Sequence, residues 1–522
     1  MSELKGMAED AERTQDRDRV TLGNTKNGSE AKPTRPSPKG SQSLKDGVPR
    51  ASLLGEVKSE FIRLVLYPVL LKRWRPSAQH HLRELRKYEF ASLETIETIQ
   101  WSRIHAILRH ASQHVPYYRN LFRENGMRPE DICSPRDFAR LPILSKSTVQ
   151  EKLSELSADD RDKGAGQPNA SGGSTGKPVQ FFQDAEYWDR AYANEWFVQS
   201  WWGIRPGDRT ASVWGADRDI PDQTWGERLY SSIGQIRVCN AFALTAGQME
   251  HFAKMLVTWQ PRYVTGYASA LEVFANFLLE RPKLRVRAHA VKTTADVLSE
   301  EKRRVIEKAF GCPVYNFYGS REVNNVAAEC PAQNGLHANA LARYIEIVDD
   351  AGNPVPPGVP GRILLTDLTN YYMPFLRYEI EDIGSWKRQP CSCGRQFPLL
   401  ERVWGRSSDF IVTPEGKLIH SVFFTHLFYD MPEVVLFQVN QKDLQDIRVY
   451  LVLRPGVKEY PERLLRERLR QAFGPAVAFN IQVVPKIERP PSGKHRFTVS
   501  SVRASWGAAN EPVSEVWGTE TP

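Results

Sequence analysis

Apolar residues recur at helical spacing from about Ser52 to Leu156, so this stretch is predicted to be helical. Trp101, Ile104, Ile107, Leu108 and Ala111 share one face, and the run stops at the punctuated His114-Val115-Pro116-Tyr117-Tyr118. Asp131 to Phe138 has the signature of a capped helix start, and Leu141-Pro142-Ile143-Leu144-Ser145-Lys146 leads into another. Ala185 to Trp202 is predicted as a long helix whose aromatic stripe (Tyr187, Trp188, Tyr192, Trp196, Phe197, Trp201, Trp202) reads as core. Strand and helix periods then alternate. Thr210–Trp214, Tyr263–Gly266, Ala288–Thr293 and Val314–Tyr318 read as strands, separated by helices over Thr245–Trp259, Ser269–Glu280 and Ser299–Phe310. This alternation predicts a mostly parallel sheet covered by helices.

From Arg343 the pattern becomes strand, turn, strand: Tyr344–Val348, the Asp349-Asp350-Ala351-Gly352-Asn353-Pro354 turn, then Gly361–Thr366. That is the mark of an antiparallel β subdomain over 343–404. Beyond Gly405, β-rich runs at Val434–Val439 and Ile447–Leu453, a helix at Pro461–Phe473 and a strand at Ile481–Val484 predict a small α+β domain over 405–508. The fold class is therefore α/β: a large N-terminal domain, 52–404, with a small α+β domain behind it. Residues 1–51 and 509–522 are polar tails, the first read as disordered for want of anything to bury.

At 522 residues the chain exceeds what one hydrophobic core supports, which agrees with two domains. The net charge of +8 arises from 70 basic and 62 acidic side chains spread along the chain. It suits an anionic small ligand and is too diffuse to argue for nucleic acid. Six cysteines in this length are no disulfide framework, so a reducing cytoplasm is the expected compartment. No apolar signal segment is read in the first fifty residues. The run Leu64 to Leu71, flanked by Arg63, Lys72, Arg73 and Arg75, is far short of a membrane span. Contact of 56–75 with anionic lipid is conceivable, but a packed core helix is the favoured reading.

The densest chemical signal is Ala170-Ser171-Gly172-Gly173-Ser174-Thr175-Gly176-Lys177-Pro178. Glycines allow close backbone approach, and successive N–H groups and hydroxyls can form a concave nest for phosphate oxygens. A Walker A frame would put glycine at 171 and Ser or Thr at 178; the chain has Ser171 and Pro178. Downstream, Tyr318-Gly319-Ser320-Arg321-Glu322 stands at a strand end, where parallel sheets place ligands. An aromatic ring there can stack on a base, and a carboxylate there can hold a divalent cation. Asp382 follows Arg377-Tyr378-Glu379-Ile380-Glu381 and suits a ribose diol. Gly405-Arg406-Ser407-Ser408-Asp409 lies at the domain junction, and Lys494 occupies a tight turn, Pro491–Arg496.

Taken in order, these motifs resemble the adenylate-forming (acyl-CoA synthetase/ligase) superfamily. Within it the match is to the phenylacetate–CoA ligase family and its capsular-polysaccharide-biosynthesis branch. Ala170 to Pro178 is similar to the family loop A-S-S-G-T-T-G-K-P. Val115-Pro116-Tyr117-Tyr118-Arg119 and Leu141 to Lys146 also look like this branch. The resemblance covers roughly residues 55 to 505. It implies an AMP-forming acid–thiol ligase: a carboxylate attacks the α-phosphorus of ATP, pyrophosphate leaves, and a thiol, normally coenzyme A, displaces AMP. It further implies that Ser171, Gly172, Gly173, Ser174, Thr175, Gly176 and Lys177 cradle the β- and γ-phosphates. Glu322 would hold Mg²⁺, Tyr318 in the Tyr318-Gly319-Ser320 segment would stack on adenine, and Asp382 would bind the ribose. Arg406 would reach the ribose or phosphate side, and Lys494 would bridge carboxylate and α-phosphate. The small domain would swing about Ser408 or Asp409. Relatives are often dimeric, so a homodimer is implied.

Three departures stand out. Relatives have Asp-Asp where this chain has Ser408-Asp409, Gly-Glu where it has Ala295-Asp296 after Thr294, and less acidic residues at Glu379-Ile380-Glu381. Tyr267 is expected near an acyl pocket; the acid itself is not legible. Cys330, His337, Cys391 and Cys393 compose a Cys₃His set for a structural zinc ion, with free buried cysteines as the alternative. Cys133, Cys239 and Cys312 read as ordinary buried thiols. Two other functions remain open: an adenylating enzyme with a non-CoA acceptor in cell-surface glycan assembly, and a catalytically silent nucleotide-binding scaffold.

Overall fold

In a computed structural model of the chain the described residues are 53–502, without 163, 172–178, 216–228, 230, 242–243, 407–409, 417, 421–422, 425–426, 429–430, 458 and 489–496. Both tails, most of the glycine loop, the Ser408-Asp409 pivot and Lys494 thus lie outside the described residues.

Helices form where the sequence supplies a cap and an apolar stripe. Ser92 accepts from the Thr95 N–H to open the helix Leu93–His114, and Pro116 begins the next one at its first position. Ile104, Ile107, Leu108 and Ala111 are fully buried on it. Ser134 and Ser145 cap the short helices Pro135–Phe138 and Lys146–Glu151, as their motifs predict. The strands are β1 (Gln167–Ala170), β2 (Gln180–Gln183), β3 (Thr210–Trp214), β4 (Ile236–Asn240), β5 (Tyr263–Tyr267), β6 (Ala290–Thr294) and β7 (Val314–Ser320). They continue with β8 (Asn324–Glu329), β9 (Leu336–Ala338), β10 (Arg343–Val348), β11 (Gly361–Asp367), β12 (Tyr378–Trp386) and β13 (Leu399–Arg406).

One sheet of eleven strands carries the molecule, in the order β10-β11-β12-β13-β9-β8-β7-β6-β5-β3-β4. From β4 to β7 its neighbours are parallel, linked through helices such as Ala246–Trp259, Ala268–Leu279 and Glu300–Phe310. From β7 onward every pairing is antiparallel. The parallel sheet and the predicted β subdomain are therefore continuous, joined by the tight β7–β8 hairpin. Gly319 makes that hairpin close: a Cβ there would stand 2.8 Å from the Asn324 carbonyl oxygen. β1 and β2 form a separate antiparallel pair around the glycine loop.

The aromatic helix Ala185–Trp201 is core, as read: Trp196, Phe197, Trp201 and Trp202 pack with Phe397 and Leu399. Toward the C-terminus, β14 (Phe410–Val412) pairs with β15 (Leu418–His420). A four-stranded sheet follows in the order β18-β17-β16-β19, from β16 (Val434–Gln441), β17 (Asp446–Leu453), β18 (Ala478–Val483) and β19 (Thr498–Ser500). The helix Glu462–Phe473 buries Leu465, Leu469 and Phe473 in its core with Val439, Val449 and Leu451.

Two expectations need correction. The segment 56–75 is helical, but only one side packs: Tyr67 and Leu71 are buried while Val57, Phe61, Leu64 and Val69 are exposed. Cys133 is exposed rather than buried, because it lies on the loop before the Pro135 helix; Cys239 is buried and Cys312 half-buried. Burial pushes the Cys312 thiol up to about 12.

Candidate functional site

The β7–β8 junction, where parallel pairing changes to antiparallel, collects the site residues. Tyr318, near the end of β7, donates its hydroxyl to Asp382 Oδ2 at 2.7 Å. Asp382 lies opposite Arg406 in the β12–β13 register, and the guanidinium reaches Asp382 Oδ1 at 3.2 Å. Arg406 also donates to the Ile380 carbonyl at 2.7 Å. The charge of Asp382 raises the Arg406 pKa against the opposing effect of burial; burial and then Asp382 raise that of Tyr318. Tyr318, Asp382 and Arg406, well separated in the sequence, thus form one group joined by a hydrogen bond and an ion pair.

A backbone irregularity aims Asp382. Leu364 pairs with Glu379 but Arg362 pairs with Ile383, so 380–382 of β12 bulges opposite the single residue Ile363. Glu381 takes φ 69° in that bulge. The extra acids noted in the sequence are neutralised locally: Glu379 accepts from Arg362 at 2.5 Å, and Glu381 from Lys146 at 2.5 Å with Arg406 3.7 Å away. Lys146 reaches this place because Leu144 runs beside β12, donating to the Arg377 carbonyl and accepting from Glu379. The motif Leu141 to Lys146 contained that lysine, but nothing local in it disclosed a partner more than two hundred residues away.

Glu322 is buried, 4% exposed. Its carboxylate accepts from the Tyr378 hydroxyl at 3.3 Å. Burial, followed by the Glu322 charge, pushes the Tyr378 pKa up. The turn around Glu322 is clamped from two sides. Gln183 of β2 donates to the Arg321 and Glu322 carbonyls at 3.0 and 3.2 Å. On the other side Arg343, fully buried, donates to the Val323 carbonyl at 2.6 Å and to Asp367 at 2.7 Å. Ser320 caps the same turn, its Oγ accepting from the Val323 N–H at 3.2 Å. Gln183 escaped the sequence reading because it belongs to no motif, and Tyr378, though it stands in the run before Asp382, was given no role there.

The glycine loop lies between β1 and β2 in the sequence. At its base the Ser171 N–H donates to the Val179 carbonyl and the Val179 N–H to Ser171 Oγ, each at 2.9 Å. Because β2 also carries Gln183, the base of the loop is tied to the Glu322 turn. Gly172, Gly173, Ser174, Thr175, Gly176, Lys177 and Lys494 lie outside the described residues. Tyr267 ends β5 on the same C-terminal edge of the parallel strands, opposite Thr294 and 4.8 Å from the Trp214 ring. Next to it Ala295 takes φ 72°, a conformation that favours glycine, while Asp296 accepts from the Ser269 N–H at 2.7 Å.

Cys330, His337, Cys391 and Cys393 converge, with one donor atom from each within 4.8 Å of the others. β8 ends just before Cys330, β9 carries His337, and both thiols of Cys391-Ser392-Cys393 come from the turn between β12 and β13. Cys330 and Cys391 sulfurs are 3.6 Å apart, and Cys393 Sγ is 3.3 Å from His337 Nε2. A tetrahedron with Zn–S bonds of about 2.3 Å has S···S edges of about 3.8 Å, so donors and spacing fit zinc. Hydrogen bonds from Cys330 first, and also from His337, hold the Cys393 thiol far below its ordinary range.

The comparisons with known proteins agree with this architecture. Among solved structures, 2-hydroxyisobutyryl-CoA ligase in its postadenylation state superposes with a TM-score of 0.63 at 19% identity, covering 80% of this chain and 91% of that one. The fold is that of the adenylate-forming enzymes. Residues 411–501 match the family model described as the CapK C-terminal domain. Protein CapK of Staphylococcus aureus is 23% identical over 434 residues, 81% of this chain and 93% of that protein. Phenylacetate-coenzyme A ligase of Thermus thermophilus is 25% identical over 428 residues, 77% of this chain and 94% of that enzyme. The chain is thus similar to both CapK and phenylacetate-coenzyme A ligase, the relatives its motifs suggested.

Proposed function

We propose that the protein activates a carboxylic acid with ATP as an acyl-adenylate and passes the acyl group to the thiol of coenzyme A. The observation that carries this reading is the Tyr318–Asp382–Arg406 group, built beside buried Glu322 at the strand ends of an adenylate-forming fold. Asp382 presents a fixed carboxylate suited to ribose hydroxyls, Tyr318 a ring suited to adenine, and Arg406 a cation for the ribose or phosphate side. Glu322 would hold Mg²⁺, which supplies positive charge to the phosphate oxygens. The loop Ser171 to Lys177 would take the β- and γ-phosphates, and Lys494 would bridge the attacking carboxylate and the α-phosphate. Two anions must meet in this reaction, so donors aimed at the transition state each contribute roughly 3–4 kcal/mol. The acyl pocket would adjoin Tyr267 and Trp214. Domains at 52–404 and 405–508 would pivot at Ser408 or Asp409 between the two half-reactions. Zinc on Cys330, His337, Cys391 and Cys393 would be structural, tying β8, β9 and the β12–β13 turn together.

A second reading has its own support. The CapK relative and the CapK C-terminal match favour an acceptor other than coenzyme A in cell-surface polysaccharide assembly. Both readings require the adenylation step, and a silent scaffold would not. Pyrophosphate release across a panel of carboxylic acids, with and without coenzyme A, separates all three. Acid-dependent release with acyl-CoA formation supports the leading reading, release without acyl-CoA the second, and no release with any acid the scaffold. Lys494→Ala should abolish release while sparing much of the thiol step; undiminished release would remove Lys494 from the mechanism.

A further inference from the structure

The segment Leu53–Trp74 has no part in this chemistry, yet it displays the molecule's longest exposed apolar stripe among the described residues. It is one continuous helix: Leu53–Phe61, a π turn over Ile62–Leu66, then Tyr67–Trp74. Val57, Phe61, Val65 and Val69 are spaced four apart and are 62, 54, 46 and 69% exposed, with Leu64 beside them at 61%. In a regular α-helix a spacing of four drifts by about 40° per step. The extra residue of the π turn takes back about 100°, which keeps the four side chains in one line.

The opposite side is held by the body of the protein. Tyr67 and Leu71 are buried, and the Tyr67 ring covers Gly207, where a Cβ would meet it at 2.9 Å. Arg63 stands 3.7 Å from Asp208, and the Gln235 amide donates to the Ser59 carbonyl at 3.1 Å. The helix is thus docked with its apolar stripe turned outward. Its exposed charges are chiefly basic: Lys58 at one end, Lys72 and Arg73 at the other beside half-exposed Trp74. Of the two acids, Glu56 is exposed and Glu60 is taken up by Arg63 at 2.5 Å.

We infer that Leu53–Trp74 is a binding site for an anionic lipid bilayer surface. Apolar side chains on the outward line enter the headgroup boundary, Trp74 sits at its level, and Lys58, Lys72 and Arg73 meet lipid phosphates. An outward apolar stripe rimmed by lysine and arginine, with an aromatic at the end, is the composition of a helix that lies on a membrane. No helix among the described residues is long and apolar enough to cross one. This inference does not depend on the reaction proposed above.

Flotation of the full chain with phosphatidylglycerol–phosphatidylcholine vesicles, against phosphatidylcholine alone, tests it. The protein should float with anionic vesicles and be released by salt. Replacing Val57, Phe61, Val65 and Val69 together by Ser should lower binding at least tenfold, and so should the separate set Lys58→Gln, Lys72→Gln and Arg73→Gln. All these side chains are exposed, so thermal unfolding and any pyrophosphate release in solution should match the parent. The inference is overturned by failure to bind anionic vesicles, by equal binding to neutral ones, or by substitutions without effect. It is equally overturned if the Ser set turns a dimer into a monomer while leaving flotation unchanged, since the stripe would then join two copies.

Discussion

Asp382 meets a hydroxyl and a guanidinium through different oxygens, so its carboxylate is fixed before any nucleotide arrives. Hydrogen bonds to a charged group contribute about 1.5–3 kcal/mol each. Asp382→Ala should therefore raise the KM for ATP at least tenfold in pyrophosphate release, and an unchanged KM would dissociate Asp382 from ribose binding. Ala295 offers a stability counterpart. Its φ of 72° costs an alanine about 1–2 kcal/mol relative to glycine. Ala295→Gly should raise the urea midpoint by a corresponding amount without altering the slope. Residue identities such as Tyr318, Glu322 and Asp382 were legible because chemistry restricts them to few types. Lys146, Gln183 and Tyr378 were not, because each acts through a partner brought near only by the sheet.

At the scale of elements, caps and periods carried most of the information. Thr245 opens its helix in a capping box with Gln248, and Ser299 caps Glu300–Phe310, both at the predicted positions. Among the strands missed in the sequence reading were β4, β8, β9, β12 and β13. β12 escaped because Asp382 breaks the alternation of Tyr378-Glu379-Ile380-Glu381, and Asp382 lies in the bulge that aims the site. β9 is three residues long, too short for any period. The four-stranded C-terminal sheet has its own buried core, so its stability can be probed there. Leu469→Ala, at a fully buried position, should cost about 2–5 kcal/mol. Urea unfolding followed by far-ultraviolet circular dichroism would register it as a lowered midpoint.

Across the whole molecule, zinc and pH give independent handles on how distant segments are held together. Metal analysis of the purified protein should return about one zinc per chain, four ligands making one site. Chelation should lower the melting temperature, and values below about half an equivalent would count against the site. On the N-terminal helices, the His81 imidazole 3.8 Å away, followed by the charge of Arg103, lowers the Glu84 pKa from 4.5 to about 2. A depressed carboxylate contributes stability that is complete above its unfolded value of 4.5 and is lost as pH falls toward about 2. Urea midpoints should therefore fall across that window, and less steeply in Glu84→Gln. Chain-wide, an antiparallel part was legible from the change of pattern near Arg343, but antiparallel pairing already begins at β7–β8, two strands earlier. Its union with the parallel strands in one sheet was not legible, because it rests on the hairpin closed at Gly319.

Arg343 also bears on how the protein is made. The turn that presents Glu322 is clamped by Gln183, translated long before it, and by Arg343, whose counter-charge Asp367 is translated later still. A guanidinium buried without its carboxylate is strongly destabilising. On the ribosome, then, the turn lacks this clamp until Asp367 has left the exit tunnel, and an interrupted translation product that stops short of it carries the Glu322 turn without it.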